Sequence, residues 1–352
     1  MKKILAIALV LMLVLSMMTV ALADDAMHFE IVSKGFQHAY WQAVKKGAEE
    51  KAAELGVTIN FDGPATESDY DQQLQQFNSA MASEPDAVGL AALSTTTLLD
   101  AITDAQGKNI PIIGFDSGVP GAPEGAIYAN AATDNYAAGA VAAEKIYEAI
   151  KDRVAAADGA VRIGVSAQDN VSESVTLRGL GFIDKMAELL AADGFGVKLE
   201  GDTFYCDAAK VESKDDAKVI IETLVPAQVT SELSLIDCNT LLSKDDIVAI
   251  YGSNQHSAEA IVAANENLQV CGTGDGEVIA AGFDSGAVIL GAVRDGVFLG
   301  AITQAPVAMG AAVVQLCYDA ANGQPVSDVD TGCQWYTAEN MDDPEIAQNL
   351  YE

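Results

Sequence analysis

From His28 onward, short β-branched or apolar runs alternate with amphipathic helical stretches, and the alternation runs through twice. In the first pass the strand candidates are Phe29 to Val32, Val57 to Phe61, Ala87 to Leu93, Ile110 to Phe115 and Ala126 to Tyr128. Helical patterns at Tyr40 to Leu55, Ser68 to Ser83 and Thr96 to Gln106 lie between them. Strands separated by about ten to fifteen helical residues build a parallel sheet with helices on both faces, so this part is α/β. The second pass offers strands at Val161 to Val165, Val197 to Phe204, Ile247 to Gly252 and Glu277 to Phe283. Its helices are expected near Thr176 to Ala192, Lys214 to Leu224 and Ala258 to Glu266, and one more covers Pro306 to Ala321 before a closing Trp335-Tyr336 segment. Two similar lobes follow from the repetition.

The two passes share a pentapeptide. Gly114-Phe115-Asp116-Ser117-Gly118 recurs letter for letter as Gly282-Phe283-Asp284-Ser285-Gly286, and each copy ends a predicted strand. In an open parallel sheet, ligands bind beyond the carboxyl ends of strands, where loops and helix amino termini gather. A single copy would most simply be turn punctuation, with Asp as a cap and Gly supplying positive φ. Two copies in equivalent places instead put one acidic side chain on each wall of a cleft between lobes. No Gly- and Ser-rich linker separates the lobes, so several chain crossings and a hinge that bends in one direction are expected.

The amino terminus reads Met1-Lys2-Lys3, an apolar run from Ile4 to Val20, then Ala21-Leu22-Ala23 before Asp24 and Asp25. A charged start, an apolar core and small residues at −3 and −1 define a signal peptide over residues 1–23, cleaved after Ala23. No later stretch approaches the ~20 apolar residues that span a bilayer, so the mature chain is expected in the periplasm or outside the cell and not embedded in a membrane. The formal net charge of −32 and the scatter of Lys and Arg exclude nucleic acid as a partner.

Half of the chain is hydrophobic, which is enough for two domains with real cores. The five cysteines (Cys206, Cys238, Cys271, Cys317, Cys333) are an odd number for an exported protein, so at least one thiol stays free. A disulfide such as Cys206 with Cys238 is open on spacing alone. They form no CxxC pair, and His28, His38 and His256 form no HExxH, so neither a metal nor a cofactor is expected. Gly272-Thr273-Gly274-Asp275-Gly276 has no following Lys-Ser or Lys-Thr and reads as a turn. Ser166 and Ser253 lack a GxSxG elbow and evident His and Asp partners, so a serine-hydrolase reading has little to stand on.

With those residues in place, a family likeness emerges across nearly the whole mature chain. The run Lys34-Gly35-Phe36-Gln37-His38-Ala39-Tyr40-Trp41 resembles the first strand, loop and helix of ribose-binding-type periplasmic proteins of ABC transporters. So do Ile110 to Asp116, Ala132 to Gly139, Arg178-Gly179-Leu180-Gly181-Phe182, Gly252-Ser253-Asn254, Gly282-Phe283-Asp284 and Ile302 to Pro306, in the same order. The resemblance implies a type I periplasmic binding protein fold: two Rossmann-like lobes with parallel sheets, joined by a three-segment hinge. The first lobe would comprise residues 28–132 and 305–330, the second residues 133–304 and 331–352.

A sugar would be gripped between the lobes and delivered to an ABC permease, with a chemoreceptor as a further partner and the protein itself a monomer. The ligand-binding positions implied are Lys34, His38, Tyr40, Trp41, Asp116 and Ser117 from the first lobe, and Asp169, Arg178, Asn254, Asp284 and Gln304 from the second. Sugar hydroxyls both donate and accept, so carboxylates, Arg, Asn and Gln suit them, and flat rings such as Tyr40 and Trp41 suit the C–H faces of the sugar. A core position is the alternative for Trp41, since aromatic residues on an amphipathic helix usually face inward.

The chain departs from the family at Ala91, where Asn is frequent, and at Gln255, where Asp is frequent. Lys34 is either a solvated surface lysine or a cation at the cleft mouth, suited to an acidic, phosphorylated or furanone-like sugar derivative. Two other classes stay open. One is a sensor for a sugar-derived signal, and the other is an exported carbohydrate-active enzyme using Asp116 and Asp284 as acid and base. A transcription regulator of this fold would need a helix-turn-helix where the signal peptide stands.

Overall fold

The computed structural model describes residues 26–36 and 38–352. The expected signal peptide lies outside the described residues. The first half runs β1 (His28–Val32), α1 (Ala39–Leu55), β2 (Thr58–Asp62), α2 (Tyr70–Ala82), β3 (Ala87–Leu90), α3 (Leu99–Ala105), β4 (Ile112–Phe115) and β5 (Ala129–Ala132). It continues with α4 (Asn135–Ala156), β6 (Val161–Ser166), α5 (Glu173–Ala192), β7 (Val197–Gly201), α6 (Thr203–Ala208), β8 (Val219–Leu224), α7 (Ser231–Leu242) and β9 (Ile247–Gly252). The remainder is α8 (Gln255–Leu268), β10 (Ile279–Phe283), α9 (Ala287–Arg294), β11 (Gly300–Gln304), α10 (Pro306–Ala321), β12 (Val329–Asp330), β13 (Cys333–Tyr336) and α11 (Pro344–Ala347).

These strands form two sheets. The first has six strands in the order β12-β5-β4-β3-β1-β2, all parallel. The second has seven in the order β13-β11-β10-β9-β6-β8-β7, parallel except where β13 runs against β11. Central strands such as β3, β4, β6, β9 and β10 are buried along their whole length. That explains the unbroken apolar runs of β3, β4, β9 and β10: a parallel sheet covered by helices on both faces has no solvated side to call for alternation.

The chain passes between sheets three times. It leaves the first after Ala132, returns after Gln304, and leaves again after Asp330. Consequently α10, late in the sequence, packs on α1 and on β3, β4 and β5 of the first sheet. Its residues Met309, Val313, Val314 and Cys317 share a core with Phe29, Ile31, Trp41 and Phe115. In the same way α4 lies on α5 over the second sheet, in a core with Phe182, Tyr251 and Phe283.

Each helix pair is closed by reciprocal glycines. A Cβ at Gly47 or Gly310 would stand 1.9 Å from the carbonyl oxygen of Val307 or Val44, and one at Gly139 or Gly181 would stand 2.0 Å from that of Arg178 or Tyr136.

Three expectations need correction. The segment expected as a helix from Lys214 to Leu224 is instead β8 from Val219 onward, between β6 and β7; its β-branched Val219, Ile220, Ile221 and Thr223 suit the pleated interior. The helix that follows is α7, capped by Thr230, whose side chain accepts from Leu233 N. The fifth strand lies at Ala129–Ala132, just after the expected Ala126 to Tyr128. Moreover, all five cysteines are free, so the Cys206–Cys238 pairing does not occur; Cys238 is buried in α7 with its thiol directed at Ser166 Oγ, 3.4 Å away.

Candidate ligand cleft

The two copies of the pentapeptide adopt one geometry. Asp116 follows β4 with φ of 58° and Asp284 follows β10 with φ of 72°, the left-handed region that Asp tolerates better than most residues. Each donates its backbone N–H to the next strand: Asp116 to Ala131 O at 3.0 Å, Asp284 to Ile302 O at 2.6 Å. The same twist therefore aims each carboxylate off its strand end into the space between the sheets.

There they line one small cavity between the two sheets. Its walls are the carboxyl ends of the strands and the first turns of the helices that follow, as expected for this topology. The first lobe contributes Lys34 and His38 from the β1–α1 loop, Tyr40 and Trp41 from α1, and Asp116. The second contributes Arg178 on α5, Asn254 before α8, Asp284, and Gln304 at the end of β11.

Tyr40 donates its phenol to Asp116 Oδ1 at 2.8 Å, and Lys34 Nζ lies 3.6 Å from Asp116 Oδ2. Opposite them, Asp284 Oδ1 accepts from Gln304 Nε2 at 2.7 Å, while Oδ2 accepts from Gln255 N at 3.2 Å and stands 3.7 Å from Arg178 Nη1. Arg178 is fixed further by its Nε bond to Asn135 Oδ1 and by the Phe283 ring, 3.8 Å beneath its guanidinium. Burial pushes the Asp284 carboxyl above its ordinary range, and Arg178 and Gln304 oppose the rise.

Three residues line the cavity that sequence reasoning did not single out, Glu67, Ser174 and Val175, and Gln255, noted only as a departure from the family, lines it too. Glu67 accepts from Trp41 Nε1 at 2.7 Å and from Gln168 Nε2 of the other lobe at 3.2 Å. Burial alone would raise its pKa, but Lys34, His38, Trp41 and Gln168 outweigh burial and hold it at about 2. A lowered carboxylate stabilises the folded state above its ordinary pKa and loses that contribution as pH falls toward the folded value.

Glu67 should therefore contribute on the order of 3 kcal/mol at neutral pH, with about 2 kcal/mol of it gone by pH 3. Urea titrations at pH 6 and pH 3 check this. The parent protein should lose more stability between the two than Glu67→Gln does, and equal losses would refute the assignment.

Two expected residues stand behind the lining. Ser117 is buried against α5, its Oγ accepting from Ser174 N at 3.3 Å and lying 3.4 Å from Ser172 Oγ. Asp169 Oδ1 accepts from Val171 N and Ser172 N, which commits it to shaping the turn before α5. Trp41, for which core and ligand roles were both open, belongs to the first-lobe core and also borders the cavity. Lys34 is buried, not solvated, and reaches across the cleft to donate to Ser172 Oγ at 3.0 Å and Ser174 Oγ at 3.3 Å. Thr95 N to Val171 O at 2.9 Å and Gly118 N to Glu173 Oε2 at 2.6 Å also join the lobes, so the cleft is closed.

Among the described residues, no group of three or more His, Cys, Asp or Glu is placed to hold a metal ion, and no helix is long and apolar enough to cross a membrane. Two parallel α/β lobes, three crossings and a closed polar cavity between matching strand ends define a two-lobed cleft-binding protein of type I. The chain belongs to the periplasmic binding protein domain family, whose model matches residues 29–325.

A protein described as an ABC transporter, LacI family transcriptional regulator, from Brachyspira murdochii is 36% identical with a TM-score of 0.78, covering 94% of this chain and 100% of that one. The D-allose-binding periplasmic protein of Escherichia coli (strain K12) is 24% identical over 313 residues, 88% of this chain and 89% of that protein. A carbohydrate-transporter solute-binding protein from Agrobacterium radiobacter, solved in complex with D-arabinose, is 24% identical with a TM-score of 0.75, covering 94% of this chain and 100% of that one.

Proposed function

We propose that this protein captures one uncharged sugar between its lobes and delivers it to the permease of an ABC transporter. The observation that carries the reading is the pairing of Asp116 and Asp284, one per lobe, on opposite walls of a single buried cavity. Asp116 Oδ2 and Gln255 Oε1, one from each lobe, are buried acceptors without a hydrogen-bond partner among the described residues. An occupant must bring donors to both walls, which a polyhydroxylated molecule does.

Lys34 and Arg178 already lie within 4.0 Å of carboxylates of their own, so a phosphate or carboxylate on the ligand would add negative charge to an acidic site. This favours a neutral sugar over the acidic or phosphorylated one that an exposed Lys34 would suit. The names of the relatives, which include an allose-binding and an arabinose-complexed protein, point the same way. Hinge opening admits the sugar, and its greater affinity for the closed form shifts the population there.

The amino-terminal pattern supports export, with cleavage after Ala23. The protein is read as a binder, not an enzyme, because each catalytic-looking carboxylate is held by neighbours from its own lobe.

A thermal-shift screen tests the function with D-allose, D-ribose, D-arabinose and D-ribose 5-phosphate. At 100 times its Kd a bound sugar stabilises by about 2.7 kcal/mol. At least one neutral sugar should raise the melting temperature and be recovered unchanged, while the phosphate should not. A screen without any shift, or the appearance of product, would overturn the reading.

A further inference from the structure

The segment after α11 returns to the back of the cleft. Asn349 O accepts from Thr303 Oγ1 at 2.9 Å and Asn349 Nδ2 donates to Gln334 Oε1 at 2.8 Å, which pins the segment to β11 and β13 of the second lobe. Tyr351 then pairs with the loop that follows Asp284. Its carbonyl accepts from Gly286 N at 2.8 Å, its N–H donates to Ser285 Oγ at 3.0 Å, and its phenol oxygen accepts from Ser285 N at 3.3 Å. The ring itself lies on the other lobe, packed against the first-lobe core and set edge-on to Tyr40 at 5.9 Å. Tyr40 is the residue that holds Asp116.

We propose that Tyr351 is a positioning residue for the cleft. It binds the loop behind one carboxylate, leans on the tyrosine that orients the other, and so makes closure of the lobes and alignment of the two walls a single event. Three hydrogen bonds fix it to the second lobe while its ring partner Tyr40 lies on the first, so opening the hinge must part the Tyr351 and Tyr40 rings or drag the 285–286 loop. Edge-to-face aromatic pairs favour the geometry seen here over looser ones. Tyr351 therefore biases the ligand-free protein toward the closed form and slows release from it. Its effect on binding rests on the cavity being a sugar site, whereas its effect on closure does not.

The test uses the full chain with Tyr351→Ala and Tyr351→Phe, and D-allose, D-ribose and D-arabinose as probes. For whichever sugar binds the parent, Tyr351→Ala should raise Kd about tenfold through faster dissociation, with association little changed. Tyr351→Phe, which keeps the ring, should stay within about threefold of the parent. Amide exchange gives a finer signature: Tyr351→Phe should quicken exchange at Ser285, whose acceptor is lost, and leave Gly286, which bonds the backbone carbonyl, unchanged.

A purely structural role would lower the melting temperature of Tyr351→Ala and leave Kd within twofold of the parent, which would overturn the proposal. If none of the sugars binds the parent, the sugar reading fails, and Tyr351 is judged by solution scattering. Tyr351→Ala should then have a larger radius of gyration than the parent, and an equal radius would refute the role in closure.

Discussion

Asp284→Ala is expected to weaken sugar binding at least 100-fold while the protein stays folded. The carboxylate gathers Gln304, the Gln255 backbone and Arg178 on one wall, and its removal leaves the Arg178 guanidinium without its charge partner. Breaking one side of a buried, hydrogen-bonded charge pair costs about 2–5 kcal/mol in binding, and about 1.4 kcal/mol is tenfold in affinity. The fold should survive because Arg178 keeps Asn135 and the Phe283 face, and because the strand hydrogen bond of residue 284 comes from its backbone.

Alanine tolerates left-handed φ less well than Asp, so Asp284→Asn is the companion variant: it keeps the backbone preference and removes the charge. Calorimetric titration with the sugar found by screening, together with melting curves, reads both. Parent-like affinity in Asp284→Ala and Asp284→Asn would remove Asp284 from the site.

The second large effect is at Gly139. A methyl group there would sit 2.0 Å from Arg178 O and 3.0 Å from Phe182 N, so α4 and α5 must move apart. Overpacking of this kind costs about 1–3 kcal/mol, and here the obstruction is backbone that cannot change rotamer. For a lobe of this size that is about 2–12 °C in melting temperature. The displaced helix also carries Arg178, so Gly139→Ala should lose sugar affinity as well as stability. Gly159→Ala is the matched control, since a Cβ there meets nothing within 4 Å. Equal melting temperatures for Gly139→Ala and Gly159→Ala would show that the helices are not in the contact described.

Why some of this was legible in the chain and some was not follows from the length scale of each signal. The strand-helix alternation is local and strong, so both sheets and the duplicated Asp were foreseeable from one lobe's logic applied twice. Arg178, Asn254 and Gln304 were reached through likeness to a family, and the fold does bring them to the same cavity.

Glu67 was invisible because it sits in the β2–α2 loop, in no motif, and its partners Lys34, Trp41 and Gln168 come from distant parts of the chain, the last from the other lobe. Ser117 and Asp169 stand behind the lining for the complementary reason: proximity to a strand end does not say which way a side chain turns, and both turn to backbone N–H groups. The Lys214 to Leu224 stretch misled because charged residues precede β8 and mimic the polar face of a helix. The segment from Asn135 to Ala156 gave little periodic signal, since alanines occupy both its faces.

The order in which the chain weaves between its sheets has a bearing on how it is made. Because α10 covers β3, β4 and β5 and is synthesised after nearly everything else, a polypeptide halted before Pro306 leaves Phe29, Ile31 and Phe115 without their lid. The first sheet thus cannot complete its core ahead of the second, because the helix that seals it, Pro306–Ala321, follows the whole of β6 to β11 in the chain.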